Sequence, residues 1–262
     1  MKAIFRARVT LLASILAGAL LALPQASRAE QSSGASLQTQ DANAQARLNK
    51  KQFSNVKVDV QNGIATLTGT VDLYEYKLDA GKRVLHANGV TAVRNDIQVG
   101  GPNLSDAALE KKLGEHLAYS REGYGNVFDA ITLKVENGVA ILGGHSHDYP
   151  DRDAAVALAA TTPGVKEVVD NIEVDPVSTM DWQTRIAVAR AIYGFPSMTK
   201  YAIDPVRPIR ISVQNGHVEL YGTVDSKSDK EIAFLRANSV PGVFSVKNYI
   251  QVEGQPSAPA EK

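Results

Sequence analysis

Apolar and polar residues alternate along three short segments of the chain, and each segment begins with an Asn-Gly pair. The segments read NGIATLTGTV (62–71), NGVAILGGHS (137–146) and NGHVELYGTV (215–224). An Asn-Gly pair supplies the positive φ angles of a two-residue hairpin turn, and a period of two is typical of a strand with one buried face. Each segment, with the alternating residues before it, therefore predicts a β-hairpin. The residues predicted to face inward are Val56, Val58, Val60, Ala65, Leu67 and Val71 in the first copy, Ile131, Leu133, Val135, Ala140 and Leu142 in the second, and Ile209, Ile211, Val213, Val218, Leu220 and Val224 in the third.

Each hairpin belongs to a longer repeat. The hairpin glycines Gly63, Gly138 and Gly216 are 75 and 78 residues apart. A second glycine follows each of them after six residues and a Gly-Val pair after 26, without insertions in any copy. A repeat of this length is too long for a solenoid unit and has the size of a small domain.

Helices are predicted on both sides of each hairpin. Small or apolar residues after the hairpin recur in steps of four and three, which makes one helical stripe: Ala80, Val84 and Ala87, then Ala155, Ala159 and Thr162, then Ala233, Ala237 and Val240. Upstream helices are predicted over 41–50, 105–119 and 181–193, with Asp41, Asp106 and Asp181 as N-caps. Each unit then reads helix–strand–strand–helix–strand, an α+β two-layer sandwich on a small three-stranded sheet. The pattern leaves open the strand order and the arrangement of the three units.

The N-terminus has the pattern of a secretory signal peptide. Basic Lys2, Arg6 and Arg8 precede an apolar run of about 15 residues, and Ser27-Arg28-Ala29 predicts cleavage after Ala29. A membrane anchor, the alternative, requires about 20 apolar residues, and no later segment is long and apolar enough to span a bilayer. The predicted organisation is a signal peptide (1–29), a disordered linker (30–40), three domains (41–101, 104–175 and 179–254) and a disordered tail (255–262).

The repeated pattern resembles the BON (bacterial OsmY and nodulation) domain. The residues that carry the resemblance in the first copy are Asn62, Gly63, Gly69, Gly89, Val90, Val93, Asn95, Ile97 and Val99. The second copy departs from it with Gly143-Gly144-His145, and copies two and three have longer segments between first helix and first strand. The resemblance implies three tandem, non-enzymatic periplasmic modules associated with osmotic stress, envelope integrity and phospholipid binding. Some family members are similar to chaperones for envelope proteins.

A search for catalytic or metal-binding residues finds one pair of histidines. His145 and His147 are two residues apart at the end of a strand, so both are predicted to project from its outward face. Surface histidines without a ligand are the favoured interpretation, and a metal site shared with Asp148 or Asp151 is the weaker one. No phosphate loop, nucleophilic triad or cysteine is present, so no cofactor and no enzymatic activity are expected.

Two polar positions recur in every copy. Asn95, Asp170 and Asn248 interrupt the inward residues of the closing strand, either as ligand-binding groups or, as we favour, as hydrogen-bond partners of the backbone. Lys77, Arg152 and Lys230 share one position on the second helix. They form either a row of phosphate-binding cations or, as we favour, an ordinary solvated face.

Charge differs sharply between the units. The whole chain has 28 basic and 28 acidic residues, and removal of 1–29 leaves a net charge of −4, which argues against nucleic acid as a partner. The predicted domains have net charges of +2, −7 and +2 in chain order. An anionic bilayer surface attracts basic segments, so the third domain is the one expected to contact anionic phospholipid headgroups.

Aromatic, sulfur-containing and basic residues are interleaved in the third domain and predict a peripheral lipid-binding site. The predicted site residues are Trp182, Arg185, Arg190, Tyr193, Phe195, Met198, Lys200 and Tyr201. The alternative is that Trp182, Ile186, Ala189 and Tyr193 are only the core stripe of their helix. The loop GFPSMTKYAIDP (194–205) is harder to interpret as core.

A different function is predicted by the second domain. Val139 and Ile141 give its outward strand face an apolar surface that the other copies lack, which is typical of a protein-binding site. The alternative function is therefore a periplasmic chaperone-like or scaffold protein that binds envelope proteins. Coverage of this face by a neighbouring domain of the same chain explains the pattern equally well.

Overall fold

The structure is a computed structural model that describes residues 39–120 and 124–254. The predicted signal peptide, most of the predicted linker and the predicted tail lie outside the described residues. Residues 39 and 40, assigned to the linker from the sequence, are already helical.

Three units of the same architecture follow one another. The first contains a helix over 39–46 (α1), a 3-10 turn Lys51–Phe53, β1 Val56–Gln61, β2 Ile64–Val71, α2 Tyr74–Leu85, β3 Ala92–Asn95 and β4 Gln98–Val99. The second contains α3 Asp106–Ser120, α4 Tyr124–Phe128, β5 Ala130–Glu136, β6 Val139–Ser146, α5 Tyr149–Ala160, β7 Glu167–Asp170 and β8 Glu173–Val174. The third contains α6 Thr179–Tyr193, a 3-10 turn Pro196–Met198, α7 Lys200–Ile203, β9 Arg210–Gln214, β10 His217–Tyr221, β11 Thr223–Val224, α8 Lys227–Asn238, β12 Ser245–Asn248 and β13 Gln251–Val252. The predicted α+β class is confirmed.

The second strand of the hairpin is the central strand of the main sheet in every unit. In the first unit β1 pairs with β2 antiparallel, Val58 opposite Leu67, and β3 pairs with β2 parallel, Leu67 opposite Asn95. The other two units repeat this order. A parallel pair needs a crossover connection, and α2, α5 and α8 provide it. Each unit thus has one mixed sheet, and in the third unit β11 and β13 form an additional two-stranded parallel sheet.

Both glycines of the hairpin motif are required by backbone geometry. The turn residues Asn62 and Gly63 have φ of 52° and 79°, as a type I′ turn demands, and the other copies agree. Gly69, six residues on, has φ of 113°, and a Cβ there would overlap the carbonyl oxygen of Asn55, the residue just before β1. The motif therefore recurs because no other residue fits these positions without strain.

The strand that follows the second helix and closes each unit is not continuous. It divides into two short strands, β3 and β4 in the first unit, because the Asn95 side chain replaces the strand pairing locally. Its Oδ1 accepts from the Ile97 amide at 3.4 Å and its Nδ2 donates to the Lys77 carbonyl of α2 at 2.7 Å. Asn248 repeats both bonds in the third unit. The favoured backbone role of this polar position is thus what the structure shows.

The second unit has different residues at the two positions that Asn95 and Lys77 occupy in the first unit, namely Asp170 and Arg152. Asp170 accepts from the Ile172 amide but has no N–H to donate to the helix, and Arg152 of α5 lies 3.8 Å from its carboxylate instead. In this unit Arg152 and Asp170 therefore form an ion pair through their side chains. In the first and third units an asparagine instead donates to the backbone carbonyl of the lysine.

One face of each sheet carries both helices and the core. The predicted stripe residues Ala80, Val84, Ala155, Ala159, Ala233 and Ala237 are all buried, and small side chains let the helix approach the sheet closely. Ile97, Ile172 and Ile250 of the closing segments complete the three cores.

The upstream aspartates are not N-caps, which corrects the prediction. Ser178 caps α6, and Asp181 lies inside the helix, where its carboxylate accepts from the amides of Asn215 and Gly216 at 3.0 and 2.9 Å. Asp106 binds the second hairpin turn in the same way. An aspartate in the first turn of the helix thus fastens the helix to the hairpin.

We expect Asp181→Ala to lower the free energy of unfolding by about 2 to 3 kcal/mol, because two amides would lose a charged acceptor in a buried site. Thermal unfolding followed by the fluorescence of Trp182, the only tryptophan, would measure it. Glu231→Ala, an exposed position on α8, is the control and should change stability by less than about 0.5 kcal/mol. Equal melting temperatures for the two variants would contradict the role of Asp181.

Candidate functional site

A buried carboxylate lies where the second and third units meet. Asp175, the residue after β8, accepts from Arg185 Nη2 of α6 at 2.6 Å and from Gln214 Nε2 of β9 at 2.7 Å. Ser212 Oγ adds a longer hydrogen bond at 3.3 Å. The Asp175 side chain has no exposed surface, so the last residue of one unit is bound by three side chains of the next.

Arg185 is consequently not available to a lipid surface, which corrects its predicted role. Its guanidinium is buried and donates to the Val213 carbonyl at 2.8 Å as well as to Asp175. Its Nε has no hydrogen-bond partner in the structure. A buried pair of this kind contributes little net stability, but removal of either partner leaves an uncompensated buried charge.

A cluster of three rings forms a second contact between the same units. Trp182 of α6 stacks on His147, which follows β6, with centroids 5.7 Å apart and planes 22° apart. Phe128, the last residue of α4, meets the edge of Trp182 at 5.4 Å and belongs to the hydrophobic core of the third unit. The segment inserted between α3 and β5 therefore contributes to the core of the following domain.

His147 is surrounded by carboxylates. Its Nδ1 lies 2.7 Å from Asp129 Oδ1 and 3.4 Å from Asp151 Oδ2, and its Nε2 lies 3.6 Å from Asp148 Oδ2. Burial lowers the pKa of His147, but the hydrogen bond to Asp129 and the three carboxylate charges outweigh it and raise the pKa above its usual 6.5. The protonated ring is the stabilised form.

The two histidines do not form the metal site that was the weaker sequence interpretation. His147 lies beyond the end of β6, whereas His145 lies on the strand with its Nδ1 facing Asp175 at 3.5 Å. In the described part of the chain, Asp129, His147 and Asp151 are the one group with three potential ligand atoms within 4.8 Å. However, the 2.7 Å separation of His147 Nδ1 and Asp129 Oδ1 is a hydrogen-bond distance, and ligands of one tetrahedral zinc ion lie about 3.3 Å apart. The group is a hydrogen-bonded ion pair.

Most other residues of the predicted lipid site also belong to the third core. Met198 and Tyr201 are fully buried or nearly so, which shows that the 194–205 loop contributes two side chains to the core while most of its other residues stay exposed. The Tyr193 hydroxyl donates to the Ile209 carbonyl at 2.6 Å, and burial raises its pKa. Trp182 and Phe195 are half-buried, the latter beneath the Arg236 guanidinium at 4.5 Å.

Two members of that set do reach the surface. Arg190 is exposed. Lys200 is about half exposed and donates to Asp225 and Asp229, two hydrogen bonds that raise its pKa. A lipid contact through these two cations stays a prediction.

The proposed protein-binding face of the second domain is less exposed than its sequence predicts. Val139 and Ile141 are both half-buried. His145, on the same outward face of β6, lines a cleft of about 460 Å³ whose remaining walls come from the third domain, among them Gln214, His217, Glu219 and Lys247. The outward face of β6 thus forms one wall of a cleft at the junction between the second and third domains.

Only weak signals in the sequence point to the junction residues. Phe128 and Asp129 lie in the segment by which the second copy exceeds the first, and Asp175 opens a Pro-containing linker. An insertion in one copy of a repeat indicates an additional contact. The periodic pattern does not tell which residues the inserted segment contacts.

Repeated sandwiches joined by a buried junction define a modular protein, built from small α+β domains of one kind in tandem. A family model for the BON domain matches residues 36–101, 105–176 and 198–254. Because these matches cover most of the chain, the chain belongs to the BON-domain family, as the sequence pattern predicts.

One relative is the Osmotically-inducible protein Y of Escherichia coli (strain K12), which is 28% identical over 134 residues. The match covers 47% of this chain and 62% of that protein, which is less than two thirds of the relative's length.

Solved structures give only distant likenesses. The C-terminal domain of CdsD, a structural protein of the type III secretion system of Chlamydia trachomatis, has 17% identity and a TM-score of 0.24, with 82% of this chain and 96% of that chain covered. The periplasmic domain of PrgH from S. typhimurium has 10% identity and a TM-score of 0.18, with 79% and 97% covered. Scores this low support no conclusion about function.

Within residues 39–120 and 124–254, no helix combines the length and the apolar character that a membrane span requires.

We expect Asp175→Ala to lower the free energy of unfolding by about 3 to 5 kcal/mol, because it leaves Arg185 buried without its counter-ion. Asp175→Leu combined with Arg185→Met should recover most of that loss, since neither charge is then buried alone. Glu136→Ala, which removes an exposed pair with Lys134, is the control and should cost less than about 1 kcal/mol. Denaturant unfolding monitored by Trp182 would measure all three, and a double variant as unstable as the single one would contradict the explanation.

Proposed function

We propose that this chain is a non-enzymatic, exported protein of the bacterial envelope whose third domain contacts anionic phospholipid headgroups. Membership in the BON-domain family supports a binding module over an enzyme. The name of the E. coli relative supports a role in the response to osmotic stress.

The lipid contact is best placed at the hairpin end of the third domain. Met180 and Phe244 are 79% and 77% exposed, and both adjoin the turn Asn215-Gly216. Met180 precedes the aspartate that binds the turn amides, and the Phe244 ring lies against Gly216. We call this surface, made of Met180, Asn215, Gly216 and Phe244, the third-domain tip.

Comparison of the repeats is the observation that carries this placement. At the two apolar positions of the tip, the first copy has Gln40 and Thr91 and the second has Ser105 and Lys166. The Phe244 position is structurally equivalent in the three copies, because Thr91 and Lys166 contact the hairpin glycines of their own units as Phe244 does. The Met180 position precedes the helix aspartate in each copy: Asp106 binds its hairpin turn as Asp181 does, whereas Asp41 binds the Val60 amide. Two large apolar side chains thus replace polar ones only where they stay exposed to water, which is unfavourable unless they contact an apolar phase.

The net charges of the domains also favour the third domain as the one that contacts the bilayer. The third domain is positive overall and the second strongly negative, and each Lys or Arg near an anionic bilayer contributes about 1 kcal/mol of attraction. Apolar side chains inserted at the interface and cations above it are the two elements of peripheral binding.

We expect the full mature chain to sediment with vesicles that contain anionic phospholipid and to do so less at high salt. Met180→Gln combined with Phe244→Thr, which restores the residues of the first copy, should reduce the bound fraction several-fold. The loss of buried apolar area, about 25 cal/mol per Å², is the physical reason.

Ile203→Ser is the matched control. Ile203 is 76% exposed and follows Lys200, which binds the start of α8, at the opposite end of the domain from the hairpin turn. Equal vesicle binding by the tip variant and by wild type would contradict the placement, and equal loss in the Ile203 variant would show that any exposed apolar residue suffices.

Export predicts a defined N-terminus. Mass spectrometry of the protein purified from the periplasm should show a chain that begins at Glu30, because cleavage is expected after Ala29. A chain that retains residues 1–29 would contradict export by a cleaved signal peptide and would favour a membrane anchor.

A further inference from the structure

We propose that the stack of His147 on Trp182 is a pH-dependent latch between the second and third domains. Protonated His147 holds the junction closed, and loss of its proton loosens the contact of α6 with the second domain. This inference concerns the junction and is independent of the proposed lipid contact.

The carboxylates around His147 favour the protonated ring. Nδ1 lies 2.7 Å from Asp129 and 3.4 Å from Asp151, and Nε2 lies 3.6 Å from Asp148. The contact of Nδ1 with Asp129 is a hydrogen bond, which the neutral ring can also make, whereas 3.6 Å is too long for one. The three carboxylates therefore favour the imidazolium mainly through its positive charge.

The indole favours the same state. A cation on the face of a tryptophan is stabilised by the ring, more strongly when it is shielded from water. The His147 side chain is only 9% exposed, and its ring stacks on the indole with centroids 5.7 Å apart and planes 22° apart. Loss of the proton weakens the stack of His147 on Trp182.

Among the charged groups near the stack, His147 is the one whose protonation the proposal invokes. Asp129 lies at the start of β5, and Asp148 and Asp151 lie at the start of α5. On α6, Arg185 is paired with Asp175 and Asp181 is bound to the hairpin turn. On β6 and β8, His145 faces Asp175 and Glu173 at 3.5 and 4.0 Å, which makes it the second histidine that a test must separate.

The sign of the pH effect follows from the raised pKa of His147. A histidine whose pKa is higher in the folded state stabilises that state fully below the unfolded pKa, about 6.5. This contribution is lost as the pH rises through the folded pKa. The junction is therefore tightest in mild acid and loosens in mild alkali.

Trp182 reports on the latch directly, because it is the only tryptophan in the chain. A protonated imidazole stacked on an indole quenches its fluorescence by accepting an electron from the excited ring. The emission of the full mature chain should therefore rise between pH 5 and 9, with a midpoint above 6.5. Quenching by acrylamide should rise over the same range, because the loosened junction exposes the ring.

Three variants assign the transition. His147→Gln should give bright emission without a transition, and His145→Gln should titrate like wild type. Asp151→Asn, which removes one carboxylate near Nδ1, should lower the midpoint by about half a pH unit or more.

The proposal is overturned by a wild-type emission that does not change between pH 5 and 9, or by a transition that persists in His147→Gln. If His147→Gln does not fold, an unchanged midpoint in Asp151→Asn overturns it. A normal emission transition with constant acrylamide quenching would show that the ring titrates without loosening the junction, and this also overturns the latch.

Discussion

The carboxylate of Asp175 is the constraint on which the arrangement of the second and third domains depends. It is fully buried, and a buried charge is tolerated only where it is paired and hydrogen-bonded. Arg185, Ser212 and Gln214 meet that need, and all three belong to the following domain. Burial of Asp175 therefore couples the end of the second domain to the start of the third, in an arrangement that also brings Trp182 onto His147.

Much of the fold could be predicted because each unit is held by short-range rules. The period of two, the Asn-Gly turn and the alanine stripe identify strands and helices from neighbouring residues alone. Strand order could not be predicted, since a hairpin followed by a helix leaves the closing strand free to join either side of the hairpin. The backbone role of the polar residue in that strand was predicted, but its partner, the Lys77 carbonyl on α2, was not, because it belongs to another element.

The candidate lipid site shows why function was harder to predict than fold. Aromatic residues and arginines at helical spacing are expected both for a helix that contacts a membrane and for one that packs on a sheet beside a buried ion pair. The sequence does not tell which of these phases surrounds Trp182 and Arg185, because the answer depends on Phe128 and Asp175 in the preceding domain. In the structure Arg185 is buried and Trp182 is half-buried, so both pack inside the protein. Met180 and Phe244 are the exposed residues, and they are therefore the better candidates for a lipid contact.

The three repeats differ most where they meet a surface outside their own sandwich. Within the sandwich, the hairpin glycines, the first alanine of the stripe and the closing isoleucine are the same in all three copies, because each occupies a sterically restricted place. The insertion that carries Phe128 packs against the core of the third domain, so the divergence there reflects a neighbouring domain. The insertion that carries Met198 fills the core of its own domain. The substitutions at the third-domain tip are exposed, and the proposed lipid contact would account for them. A repeat protein in this way acts as its own internal control: what its copies share maintains the fold, and what one copy alone has indicates a contact.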